Sequence, residues 1–280
     1  MLSKINKTPQ RALITLFTLV LLFVVGITAF WDSVSNIVFP NTTVGLYNRG
    51  FWENVLVEAH GLLFDILIIG VIVVWLDTKR AQSDEKVTTL NNLSDVSYLD
   101  LPEVNLRKVG MIHRLNNLDV FQFSINQLVI SGARVIELTS KFSSLNQLKA
   151  KKTEITSSNF INTQLIKSDF SESLIRTTKF LKCEMKKTVF IDSQVRGVDF
   201  TDSNLERAVF INADLQNAIF KGCNLREINF ENANLRNVNL KGVKHLNVES
   251  LLKAKNIDYL VIDDEIRKGL KSRNIDAKGL

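Results

Sequence analysis

Few residues in this chain combine a reactive type with a reactive spacing. His60, His113 and His245 lie far apart, and Cys183 and Cys223 are separated by forty residues with no metal-ligand or disulfide-framework spacing around them. The sequence has no H-E-x-x-H, no G-x-S-x-G, no P-loop and no G-x-G-x-x-G. No catalytic, cofactor-binding or metal site is therefore expected, and the reading is a non-enzyme without cofactors. Two cysteines in 280 residues suit a reducing compartment. One titratable group does stand out, because Asp65 interrupts the apolar run "GLLFDILIIGVIVVWL". A carboxylate at the centre of a membrane helix costs roughly 2.5–3.5 kcal/mol, so it needs hydration, a proton or a partner. Glu58, seven residues earlier, shares its helical face.

The elements around Asp65 give it that setting. Residues 12–31, "ALITLFTLVLLFVVGITAFW", carry no charge and are long enough for a helix to cross about 30 Å of hydrocarbon. A second span is expected over about 56–76. Lys4, Lys7 and Arg11 precede the first span and Lys79, Arg80 and Lys86 follow the second, while Arg49 alone lies between them. That asymmetry puts both termini in the cytoplasm, with a short outer loop. Residues 1–76 thus read as a transmembrane hairpin, and 77–114 as a juxtamembrane connector with a short amphipathic helix through Val87, Leu90, Leu93 and Val96.

Beyond the connector the periodicity changes to five, which fits neither a helix nor a plain strand. From residue 160 the positions divisible by five include Phe160, Phe170, Phe180, Phe190, Phe200, Phe210, Phe220 and Phe230, alternating with aliphatic residues such as Leu205, Leu215, Leu225 and Leu235. Two residues before each stands a small or β-branched side chain, for example Ser168, Thr188, Ala208 or Cys223. Residues two apart on an extended segment point the same way, so each pentapeptide buries a small and a large side chain together. The other two residues must turn a corner. Gly197, Gly222, Gly242, Asn212 and Asn232 occupy the second corner position, where positive φ is easily adopted.

The motifs "NADLQ", "NANLR" and "DSNLE" make residues 155–243 resemble the pentapeptide-repeat family. The resemblance implies an all-β right-handed quadrilateral β-helix with four pentapeptides per coil, so that residue i lies beneath i+20. The β-helix is expected over 115–243, irregular at first and regular from about 155, with a helical cap over 244–280 beginning at Val248–Asp258. In that geometry Cys183 and Cys223 lie two coils, about 9.6 Å, apart and act as small core residues. Arg176, Arg196 and Arg236, with Gln216 between, form a column along one wall that is a candidate for phosphate or acidic lipid. Val189, Ile191, Val209 and Ile211 put apolar side chains outside on two successive coils, a candidate partner interface.

The sequence therefore reads as a membrane-anchored scaffold or protein-interaction module facing the cytoplasm of a bacterial inner membrane, binding an unidentified protein or itself. The alternative is a membrane-perturbing effector of toxin or phage-defence type whose hairpin oligomerises around Asp65. The DNA mimicry by which some relatives bind topoisomerase ranks last. It depends on strong acidity, whereas this chain has a net charge of +6, and nucleic acid is not an expected partner.

Overall fold

The computed structural model describes residues 9–38, 48–273 and 277–279 and divides into two compact units, residues 1–83 and 84–280. Lys4, Lys7 and the expected outer loop around Gly45 lie outside the described residues.

In the first unit, helix α1 (Pro9–Ala29) is followed by α2 (Trp31–Val38), and the chain bends by 81° between them. The expected straight helix to Trp31 therefore ends two residues early. Helix α3 (Arg49–Asp95) begins beside a polar cluster in which Arg49 pairs with Asp32 at 2.7 Å and Glu53 at 3.0 Å, while the Trp31 indole donates to Glu53. Its 47 residues span about 70 Å. Among the described residues α3 is the one unbroken helix long and apolar enough to cross a membrane, and the α1–α2 pair is a second candidate if it is one broken span. The separate connector helix expected after residue 76 does not exist. Residues 77–95 contain no glycine or proline, so nothing interrupts the helix until the chain nears Pro102.

The second unit opens with α4 (Pro102–Asn117), which has proline in its first turn. It buries Val109, Met111, Ile112 and Leu115 against the start of a solenoid. The solenoid therefore begins after residue 117 rather than at 115. Parallel bridges then link residues twenty apart: Ser124 to Ser144, Val129 to Lys149, Arg134 to Glu154 and Thr139 to Asn159. These four ladders form the first to fourth walls, in that order. The third wall contains the short strands β1 (Arg134–Ile136), β3 (Glu154–Thr156) and β5 (Leu174–Arg176); the fourth contains β2 (Thr139–Lys141), β4 (Asn159–Ile161) and β6 (Lys179–Leu181). Both are open parallel sheets, and later coils continue as single bridges.

The twenty-residue register starts at Ser124, thirty residues before the pattern becomes regular in sequence. Ser140 and Ala150 break the pattern of large inward residues, but Leu138 and Leu148 are large where the small residue belongs, and all four are buried. Exchanging the sizes within a pentapeptide preserves the volume inside the coil. From Gln127 to Gly242 every second corner residue has φ between 50° and 72°, including types such as Thr177 and Phe142 that do not favour it. Most corner N–H groups are tied to the next coil, as in Phe142 N–H to the Ile161 carbonyl at 3.0 Å, and this over-determines those turns.

Inside, one column stacks Phe160, Phe180, Phe200 and Phe220 and another stacks Phe170, Phe190, Phe210 and Phe230, with successive centroids 4.7–5.8 Å apart. The two columns meet edge-to-face at about 6 Å, as at Phe190–Phe200. Leu205, Leu215, Leu225 and Leu235 line the other two walls and are fully buried.

The far end departs from the expected helical cap. Helix α5 covers only Val248–Leu252, capped by the Asn247 side chain, and α6 covers Asp264–Lys271. Between them the chain rejoins the solenoid with a register of twenty-two, Asn234 to Asn256 and Asn239 to Val261. Ile257, Leu260 and Ile262 point inward and Tyr259 takes the positive-φ corner. Helix α5 consumes two extra residues, which hides this last partial coil from a strict period of five.

Candidate interaction surfaces

The small inward residues are fixed by the backbone of the coil beneath. The hydroxyls of Thr153, Ser173, Thr188 and Ser203 donate to the carbonyls of Ile130, Ala150, Leu165 and Phe180, each twenty-three residues back, at 2.6–3.0 Å. Cys183 and Cys223 do the same to Phe160 and Phe200. Both thiols are free and buried, and burial pushes each up to about 12. They are neutral core groups rather than nucleophiles. No cluster of three metal-ligating side chains occurs among the described residues.

The Asp or Asn preceding each large residue has an equally local role. Asp199, Asn224, Asn229 and Asn239 accept the N–H two residues ahead, closing the corner. Asp169 holds both the amide and the hydroxyl of Ser171 in this way. Burial would raise the Asp169 carboxyl, but these bonds and Lys151 outweigh it and hold it below the usual range. Amide side chains also link coils, as in Asn232 to Asn212 at 2.7 Å and Asn212 to Asp192 at 2.8 Å.

Against that background the second wall is distinctive. Its outer ladder runs Asp169, Val189, Val209, Asn229, so two coils give up the side-chain bond that closes the corner on either side of them. Ile191 and Ile211 follow on the same two coils, and all four apolar side chains are half-buried. The arginine column is less free than its spacing suggests. Arg196 is committed to Asp214 through Nε at 2.6 Å, and the Arg236 guanidinium lies 5.6 Å over the Tyr259 ring. Arg176 stands at the outer end of β5. Asp65 is exposed on α3 amid exposed apolar neighbours.

Two features escaped sequence reasoning. Lys108 is fully buried, and its ammonium donates to the carbonyls of Ser97, Leu99 and Val129 and to Asn105 Oδ1. Asn116 replaces a missing coil edge, accepting from Thr139 N–H at 2.8 Å and donating to its carbonyl at 2.9 Å. The only available signal was polar residues on the apolar stripe of α4, at Asn105, Lys108 and Asn116.

The matched family models cover this repetitive stretch. One, described as a pentapeptide repeat region, matches residues 153–225, and a second, for eight copies of the repeat, matches residues 218–244. Residues 153–244 are pentapeptide repeats. No curated protein matches the chain. Several solved pentapeptide-repeat structures are similar at low identity. The plasmid-mediated fluoroquinolone resistance protein QnrB1 is 13% identical, with 56% of this chain and 98% of that one covered at a TM-score of 0.35. HetL of the cyanobacterium Nostoc, involved in heterocyst differentiation regulation, is 15% identical over 55% and 93% at 0.26. Rfr23 of the cyanobacterium Cyanothece is 19% identical over 43% and 91% at 0.26. The pentapeptide-repeat coils here also extend upstream of the matched segment, since the same register begins at Ser124.

Proposed function

We propose that this chain is a membrane-anchored, non-enzymatic interaction protein whose pentapeptide-repeat solenoid faces the cytoplasm and binds a protein partner, or a second copy, through its second wall. The observation that carries the anchor is the apolar surface of α3: Leu62, Phe64 and Val71 are 61%, 64% and 63% exposed. Water does not solvate such a surface cheaply, and lipid does. If the anchor spans, alkaline carbonate leaves the chain in the membrane pellet, and a cysteine replacing Gly45 labels from outside without permeabilisation. Release by carbonate, or labelling only from the inner face, overturns it.

The docking wall rests on Val189, Ile191, Val209 and Ile211. Strand propensity accounts for β-branched residues in general, but not for their confinement to two coils flanked by polar residues that close their own corners. Ile191→Asp combined with Ile211→Asp leaves the fold intact, because both side chains point away from the core, and abolishes self-association or partner capture. Wild-type sedimentation and pull-down by this variant removes the wall from the proposal. Loss of folding would contradict the outward orientation on which it depends.

A further inference from the structure

The edge where the fourth wall turns its corner combines an exposed aromatic ring with lysines that have no ion pair among the described residues. Phe142 is 63% exposed and sits at a positive-φ corner. From residue 127 to 242 all the other corner residues of that class are polar, charged or glycine. An L-residue pays for that backbone, and an exposed phenyl ring recovers nothing from the core. Along the same edge Phe121, Ile161 and Leu181 are half-buried, and Lys141, on the coil between the first two, holds its ammonium 4.8 Å above the Phe121 ring.

Around these apolar groups the edge is basic. Lys141, Lys179, Lys182, Lys221 and Lys241 stand against three carboxylates, Asp199, Asp202 and Asp263, of which Asp199 is occupied by Thr201 and Asp263 accepts the Gly242 N–H. The ion pairs of the coils all fall on the other walls and corners: Arg134–Glu154, Lys151–Asp169, Lys152–Glu172, Lys186–Glu184, Arg196–Asp214 and Arg207–Glu227. None of the five lysines of this edge has an ion-pair partner among the described residues.

We infer that this edge is a second membrane contact, in which the Phe142 ring enters the interface of an anionic bilayer and the flanking lysines meet lipid phosphates. An aromatic ring surrounded by unpaired lysines matches the amphipathic, negatively charged layer at a bilayer surface. Lysine stems lie along apolar surface while their ammonium groups reach outward, as Lys141 does over Phe121. The inference rests on the anchored reading, because a tethered chain meets its own membrane at high effective concentration.

The test uses the full chain with Gln122→Cys, an exposed position one coil below Phe142, labelled with bimane. Cys183 and Cys223 are buried, and burial keeps both thiols protonated, so they do not compete for the label. The chain is placed in nanodiscs of phosphatidylcholine with or without phosphatidylglycerol, each containing nitroxide-labelled lipid. Emission should shift to the blue and be quenched only in the anionic discs. Removing Lys141 or Lys182 should weaken the contact about fivefold each, and salt should weaken it further. Phe142→Asn, which installs a residue type suited to that corner, should abolish the response while leaving thermal stability unchanged or raised. Equal emission in both discs with the chain incorporated, an unaltered response in Phe142→Asn, or a shift produced by single-stranded RNA instead of anionic lipid overturns the inference. Failure of the chain to enter discs at all removes the anchored reading instead.

Discussion

Phe200→Ala lowers the stability of the solenoid by about 3–5 kcal/mol. Phe200 is fully buried, its ring stacked 5.4 Å from Phe180 and 5.0 Å from Phe220 and meeting Phe190 and Phe210 edge-on at 5.8 and 6.0 Å. The loss falls on four aromatic neighbours at once. Collapse is resisted because the local backbone is pinned from both sides, Phe200 N–H donating to Ile219 and the Phe200 carbonyl accepting from Ser203 and the Cys223 thiol. A cavity therefore persists where a looser core would close. Trp31, Trp52 and Trp75 all precede residue 84, so tryptophan fluorescence does not report on this unit and urea melting should be followed by far-ultraviolet circular dichroism. Arg196→Ala, which removes only an exposed ion pair with Asp214, should cost less than about 1 kcal/mol. A similar small loss for Phe200→Ala would mean the column is not a packed core.

The repeating part of this architecture was legible because its determinants are local. A pentapeptide contains its own inward pair, its corner and often the Asp or Asn that closes the corner, as Asn229 does for Glu231. What the sequence concealed depends on contacts between distant segments. The early coils looked irregular because the size rule at Ser140 and Ala150 is met only together with Leu138 and Leu148. The last partial coil was masked by α5, whose two-residue insertion shifts Asn256 out of phase with Asn234. The connector looked distinct because hydropathy changes at residue 77, although helix continuity depends on the absence of a breaker rather than on hydropathy. The candidate surfaces divide in the same way. Apolar residues at Val189 and Ile191 are visible as exceptions to a pattern, whereas the engagement of Arg196 by Asp214 requires knowing what lies one coil away.

Lys108→Met destabilises the N-terminal end of the solenoid by roughly 3 kcal/mol, even though methionine fills much of the same volume. Open solenoid ends expose unpaired strand edges, and α4 closes this one with polar side chains. Without the ammonium, the Leu99 and Val129 carbonyls and Asn105 Oδ1 lose their bonds from Nζ, whereas the Ser97 carbonyl keeps the Val129 N–H at 2.9 Å. The same burial gives the effect a pH signature. Desolvation lowers the Lys108 pKa from 10.5, only partly opposed by the Asp100 carboxylate. In the window between the folded value and 10.5, the unfolded chain binds more protons than the folded one, so this group makes stability rise with pH there. Below the window both states hold the proton and the burial penalty is present in full. Urea melts of wild type and Lys108→Met across that alkaline window should therefore differ in slope, with the wild type gaining stability relative to the variant as pH rises. Parallel slopes would mean that the ammonium is not desolvated, and an unchanged midpoint in Lys108→Met would mean that α4 holds its end of the solenoid by apolar packing alone.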